Sequence, residues 1–367
     1  MVLAFMTLYI THIGYSLKLA GLVVGIYGIG SLLGAFIGGK ISDRFGFYYT
    51  QFFSLFFGGV LFIVLGQMRS YISICSCTFF LAMVNESFRP ANATAIAHYS
   101  TAQTRTQAFS LVRLAINLGW GVGGALGGFL AIMNYHLLFW VDGFTNTIAA
   151  ILMLLLLPRV SLAQQQNLHT ATDKKTNARS PLGDRTFLYF IGLQILFAMC
   201  FFQLFTTIPL YFKVGLHINE FWIGVLMAMN GIIIALFEMV LVFKLEGRRP
   251  YLRLMTYGTI IMAISFFVLN LGFLHGFSIA AVAMLLITLA EMTSMPFMNS
   301  YYISRSNEGN RGQYAGYYTM AWSAAQVIGS TSGTQMANAI GFNNLWWIVG
   351  SICLLTAFGY QKLLTRK

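Results

Sequence analysis

Charge is what this chain has least of. Only 9% of its 367 residues are charged and ten are acidic, while 57% are hydrophobic. A water-soluble globular domain carries about a quarter charged residues, so that class is excluded. Six prolines leave the apolar runs almost unbroken. The four cysteines (Cys75, Cys77, Cys200, Cys353) all fall inside such runs, which excludes a disulfide framework and makes them small apolar fillers. The six histidines are scattered without metal-ligand spacing, so neither a metal nor a cofactor is expected. No P-loop, nucleotide-binding glycine motif or Ser-His-Asp set is present, which argues against an enzyme and against an ATP-driven pump. No cleavable signal peptide is apparent, and a multi-span chain needs none.

What remains is membrane. Apolar runs of roughly the length that crosses a bilayer lie near 20–39, 48–67, 72–97, 108–133, 137–157, 186–212, 221–243, 251–272, 277–304, 313–339 and 345–364. A shorter run covers 2–15. The expected fold is an all-α membrane protein with about eleven full transmembrane helices and a truncated first one. The net charge of +12 has a location: loops 40–47, 98–107, 158–185, 244–253, 305–312 and 362–367 hold seventeen of the 22 basic residues. By the positive-inside rule that face is cytoplasmic, which explains the basic balance without nucleic acid. The polar stretch 158–185 reads as a flexible cytoplasmic linker.

The chain also repeats. At an offset of 206, Pro90 falls on Pro296, Arg105 on Arg311, Gln107 on Gln313, Ala115 on Ala321, Gly123 on Gly329 and Gly127 on Gly333. The expected organisation is an N-terminal bundle over 1–157, the linker, and a C-terminal bundle over 186–367, related by a pseudo-two-fold axis along the membrane normal. Residues 186–202 lack an N-terminal counterpart, so the first helix is expected to be incomplete, and an upstream extension of about twenty residues would complete it. The runs 72–97 and 277–304 each carry a mid-span carboxylate, Glu86 and Glu291. An ionised group at that depth is a functional hypothesis by default, and two repeated halves with acids at their junction read as a secondary transporter.

Gly39-Lys40-Ile41-Ser42-Asp43-Arg44-Phe45-Gly46 resembles the signature loop Gly-x-x-x-Asp-Arg-x-Gly of the major facilitator superfamily. Its basic pair after Gly46 is replaced by Phe47-Tyr48, and the second copy is reduced to Glu246-Gly247-Arg248-Arg249. Run 108–133 holds Gly119, Gly123 and Gly127, similar to the fifth-helix motif of drug-proton antiporters, with Gly124 in place of its proline. These glycines, with Gly30, Gly34, Gly38, Gly329 and Gly333, either pack helices statically or form smooth sliding faces. The resemblance covers nearly the whole chain and is greatest to bacterial drug-proton antiporters. It implies alternating access in a bacterial inner membrane by a monomer, with Gly39, Asp43, Arg44 and Gly46 in gating.

Glu291 has no cation in its own run and can change charge at modest cost, so it leads as the proton-coupling candidate. Glu86 follows, because Arg89 lies one turn away and can neutralise it. Asp142 and Glu238 lie near run ends and are expected at the interface. Arg113, on one face with Asn117, either snorkels to the cytoplasm or lines the cavity. Gln203 and Asn299 join Arg89, Arg113 and Asn117 as cavity candidates, since the resemblance places their helices around the substrate path. Three functions stay open: proton-driven export of small amphipathic or drug-like molecules, proton-coupled uptake of a peptide or sugar, and a receptor that binds without translocating.

Overall fold

The computed structural model describes residues 2–101, 103–158, 180–271 and 276–365. Among them every regular element is helical: α1 (Val2–His12), α2 (Leu17–Phe45), α3 (Phe47–Gln67), α4 (Tyr71–Tyr99), α5 (Arg105–Met133), α6 (Tyr135–Leu156), α7 (Arg185–Phe201), α8 (Thr207–Val214), α9 (Glu220–Leu245), α10 (Tyr251–Val268), α11 (Gly276–Arg305) and α12 (Arg311–Thr365). Nine stretches among the described residues are long and apolar enough to cross a membrane. In hydrocarbon only a helix can satisfy its own backbone, so the composition and the fold have one cause. Most of the linker, 159–179, lies outside the described residues.

The helix boundaries are local chemistry. Asn134, Asp184 and Asn219 accept backbone N–H bonds at the starts of α6, α7 and α9. Gly46, at φ 90°, separates α2 from α3 where other residues would be strained. Arg105 and Arg311, paired by the sequence repeat, each open a helix. One run differs from the expected spans. The run 186–212 breaks into α7, a short 3-10 turn over Phe202–Phe205, and α8. Pro209 explains the break, because it has no N–H to give the preceding turn and sits in the first turn of α8. The runs 313–339 and 345–364 are two helices that meet within α12 at a kink at Gly341, where φ is 80°, so the two expected spans stand.

The chain forms two compact units, which do not follow the chain halves. The first comprises 1–99, 118–183 and 306–323; the second comprises 100–117, 184–305 and 324–367. In the first unit, Val2, Met6, Tyr9 and Ile10 of α1 pack with Phe62, Leu65, Ile74, Leu81 and Phe139. Gly30, Gly34 and Gly38 press α2 against α4, with backbone or Cβ atoms of Phe79, Ala82, Met83 and Ser87 where a side chain would stand. In the second unit, Trp346 is buried and stacks on Phe266, while Phe190 meets Tyr301 at 4.8 Å. Cys77, Cys200 and Cys353 are buried and Cys75 is half-buried, all as free thiols.

Burial runs opposite to that of a soluble protein. Leu155, Leu156, Phe243 and Phe358 are exposed, whereas Thr78, Gln194, Glu238 and Glu291 are buried. Lipid tails accept the first group, and the second needs partners inside the protein. The α2–α4 seam makes a direct test. Gly34→Val should cost about 3 kcal/mol or more, at the upper end of overpacking, because Met83 backbone cannot yield as a side chain does. Gly25 has open space around it, so Gly25→Ala should be neutral or stabilise by up to about 1 kcal/mol. Thermal midpoints of the purified variants in detergent would read both, and equal midpoints would refute the seam's importance.

Candidate functional site

Glu291 lies fifteen residues into α11, about 22 Å along a helix of 30 residues. Its partner comes from a distant part of the chain. Arg113 of α5 places Nη2 2.9 Å from Glu291 Oε1 and 3.1 Å from Glu238 Oε2 on α9. Asn230 of α9 donates from Nδ2 to Thr288 Oγ1 at 2.9 Å and to Glu291 Oε2 at 3.3 Å. All these residues belong to the second unit. Glu238 is 2% exposed and Glu291 6%, so this is one guanidinium bridging two carboxylates out of water.

This arrangement bears on three readings of the sequence. Glu291 has a cation after all, supplied from 178 positions away. Arg113 does not reach for the cytoplasm. Glu238 is not interfacial; seven residues separate it from the end of α9, but α5 covers it there with Arg113. Asp142 is also buried, and one of its carboxylate oxygens accepts the Val2 N–H at 2.7 Å. Sequence reasoning missed Glu238, and the available signal was an acid flanked by apolar residues on both sides in α9.

In the first unit Glu86 sits fifteen residues into α4, and its Oε2 lies 3.0 Å from Arg89 Nε. The Glu86 side chain is 10% exposed and that of Arg89 59%. The two mid-span acids are not register equivalents: at the repeat offset Glu86 falls on Met292 and Glu291 on Asn85. Asn85 instead lies against Gly58 of α3.

The remaining candidates divide by what their polar atoms touch. Gln203 is buried and donates from Nε2 to the carbonyls of Met199 and Gly329 at 2.9 and 2.8 Å, while its Oε1 accepts from Thr207 at 2.6 Å. Gly333 leaves room for that side chain. Gln203 therefore staples the break between α7 and α8 to α12, and its donor is not available to a ligand. Asn299 folds back onto the Met295 carbonyl at 3.3 Å. Asn117 Nδ2 has no hydrogen-bond partner among the described residues. Gly329 meets Met199 backbone, whereas Gly119 is exposed and a Cβ there would meet nothing within 4 Å among the described residues.

Asp43 places Oδ1 2.6 Å from the Gly312 N–H and Oδ2 2.8 Å from that of Gln313. Both are among the N–H groups left free at the start of α12, where the helix dipole favours negative charge. Gly39 and Gly312 permit the approach; a Cβ on Gly312 would stand 2.6 Å from the carbonyl oxygen of Gly39. Arg44 is exposed and lies over the ring of Phe45 at 5.3 Å. The reduced second copy of this loop keeps the same chemistry in the second unit. Glu246 Oε1 accepts from the Thr106 N–H at 3.1 Å, at the start of α5.

Comparison with known proteins places this geometry in context. The sequence profile described as Major Facilitator Superfamily matches residues 1–330. The Multidrug resistance protein MdtH of Proteus mirabilis is similar to the chain, with 25% identity over 95% of this chain and 87% of its own length. A Na(+), Li(+), K(+)/H(+) antiporter of Planococcus maritimus is also 25% identical, over 98% of this chain and 91% of its own. The solved structure of the proton:xylose symporter XylE superposes with a TM-score of 0.74 at 18% identity, covering 98% of this chain and 90% of that one. With its helical membrane fold, its capped signature loop and a family match over most of its length, the chain belongs to the major facilitator superfamily of transporters.

Proposed function

We propose that this protein is a proton-coupled secondary transporter that exports small amphipathic compounds by alternating access. In this reading it is a monomer in a bacterial inner membrane, with its linker and C-terminus cytoplasmic, as the basic loops require. The observation that carries the reading is the guanidinium of Arg113 shared by Glu238 and Glu291. With both acids ionised the trio has a net charge of −1, and one proton makes it neutral. A net charge buried in a membrane protein is costly, so proton uptake and release at this pair changes the energy of the surrounding helices by a large amount. That is the requirement for coupling a proton gradient to a conformational cycle. The relative named for multidrug resistance supports export and an amphipathic substrate.

A second reading is exchange of a monovalent metal cation for the proton at the same trio. The relative named as a Na(+), Li(+), K(+)/H(+) antiporter favours it, as do the oxygens of Thr288 and Glu291 gathered at Asn230. The two readings share the coupling residues and differ in cargo, so parallel flux assays with a fluorescent drug and with sodium separate them.

In proteoliposomes, Glu291→Gln should reduce transport driven by a pH gradient to below about a tenth of wild type, while counterflow without a gradient remains. Glu238→Gln should behave alike. Unchanged gradient-driven transport in both would reject the pair as the coupling site and return suspicion to Glu86.

Stability supplies an independent check. Arg113→Met strands two buried acids and should cost about 3–5 kcal/mol, as breaking buried ion pairs does. Adding Glu238→Gln and Glu291→Gln to Arg113→Met removes the stranded charge and should restore most of the loss. A triple variant no more stable than the single one, in thermal unfolding in detergent, would mean that Arg113 acts through packing rather than charge.

A further inference from the structure

Three helix ends meet in the second unit on the side of the basic loops. α5 begins in loop 98–107, α9 ends in loop 244–253 and α11 ends at loop 305–312. There Thr106 Oγ1 and Ser300 Oγ lie 2.7 Å apart, and Glu246 Oε1 accepts the Thr106 N–H at 3.1 Å. Seven residues further along α5, about 10 Å, Arg113 meets Glu238 and Glu291. Glu238 lies eight residues before Glu246, and Glu291 nine before Ser300, about 12–14 Å in each case. Depth therefore agrees on all three helices. Deeper still, Asn230 joins Thr288 to Glu291.

Ser110 occupies the level between these contacts. It follows Thr106 by four residues and precedes Arg113 by three, so the three side chains share one face of α5. Ser110 is 1% exposed and lies beside the Glu238 carboxylate. Ser110 Oγ, both Glu238 oxygens and Arg113 Nη1 are buried, and none of them completes a hydrogen bond among the described residues. A static polar core pairs such groups with one another. Here donors and acceptors are left over at one level, which is the setting that a bound water satisfies. The sequence of α9 agrees: over 221–243 its only polar residues besides Trp222 are Asn230 and Glu238, and both belong to this stack.

We propose that Ser110 and the Thr106–Ser300 hydroxyl pair are the proton path of the coupling site, connecting Glu238 to the side of the basic loops. A hydroxyl suits this task because it accepts one hydrogen bond while donating another, whereas a guanidinium holds its protons. A proton arriving from water bonds to the Thr106 oxygen as that hydroxyl gives its own proton inward. A water spans the turn to Ser110, Ser110 repeats the exchange, and the last proton ends on a Glu238 oxygen. Each hydroxyl and the water regain the hydrogen they gave, and release runs the same steps in reverse. Glu246 holds the Thr106 backbone, so its role is positioning. This inference rests on the coupling reading above and adds the route by which the pair is reached.

The test uses the full chain in proteoliposomes, with the pH dye pyranine trapped inside and ethidium as the transported probe. Ser110→Ala should slow ethidium-coupled proton flux about tenfold, as loss of a positioned proton-transfer group does. It should also enlarge the solvent isotope effect in D2O, because proton transfer then limits the cycle. Ethidium counterflow without a gradient should match wild type, and so should the thermal midpoint, since the hydroxyl removed completes no hydrogen bond. Thr106→Val should act alike while keeping the backbone N–H that Glu246 accepts. Ser110→Thr should retain most of the flux, which separates a relay from packing. Glu238→Gln, measured in parallel, shows which idea fails. If it loses the flux while Ser110→Ala and Thr106→Val keep wild-type flux and isotope effect, the route is overturned and the coupling pair stands. If Glu238→Gln keeps the flux, both fall. Loss of counterflow together with flux in Ser110→Ala would also overturn the route, because it marks a structural role.

Discussion

A charge inside a membrane protein has to find its counter-charge within the protein, and Arg113 is where this chain meets that demand for two buried acids at once. Its guanidinium joins α5, α9 and α11 through Glu238 and Glu291. At about 3 Å and a protein-like effective dielectric of about 20, each such contact is worth several kcal/mol before desolvation is subtracted. The same demand explains the helix ends. Asp43 and Glu246 each accept backbone N–H groups that a helix start leaves free, so these two acids also replace the solvation that water would give. Of the ten acidic residues in the chain, these four are committed to partners, as are Glu86 with Arg89 and Asp184 with Arg305 at 2.8 Å.

The polar centres of the two units solve one problem in different ways. In the first unit the acid and its cation are neighbours on one helix, so neutrality is local and survives any movement of other helices. In the second unit the cation arrives from another helix and serves two acids. Its balance of charge therefore depends on helix packing as well as on protonation. A change of charge at the second centre is therefore felt by the packing of three helices, whereas the first keeps a constant electrostatic surface.

Sequence patterns revealed the features whose causes are local. The spans and the glycine stripe of α2 follow from hydropathy and four-residue spacing. The break before α8 was also within reach, since Pro209 marks it. What stayed hidden was the partner of Glu291. Arg113 lies 178 positions away, and no periodicity links residues brought together by tertiary packing. Glu238 was misplaced for a related reason: distance from a helix end measures depth only when nothing covers that end. Gln203 is a polar residue in an apolar run, but a buried amide has four hydrogen-bonding positions to fill, and two backbone carbonyls and the Thr207 hydroxyl take three of them.

The free cysteines have a practical consequence. Because Cys77, Cys200 and Cys353 are enclosed by apolar side chains, water-soluble maleimides have little access to them, and Cys75 is the one thiol among the four that is half-open. Replacing that single residue would give a background nearly silent to thiol-reactive probes while three native sulfur atoms stay in their packing. Spin labels or fluorophores could then be attached at chosen surface positions, and the distances between them followed through a transport cycle in an otherwise intact interior.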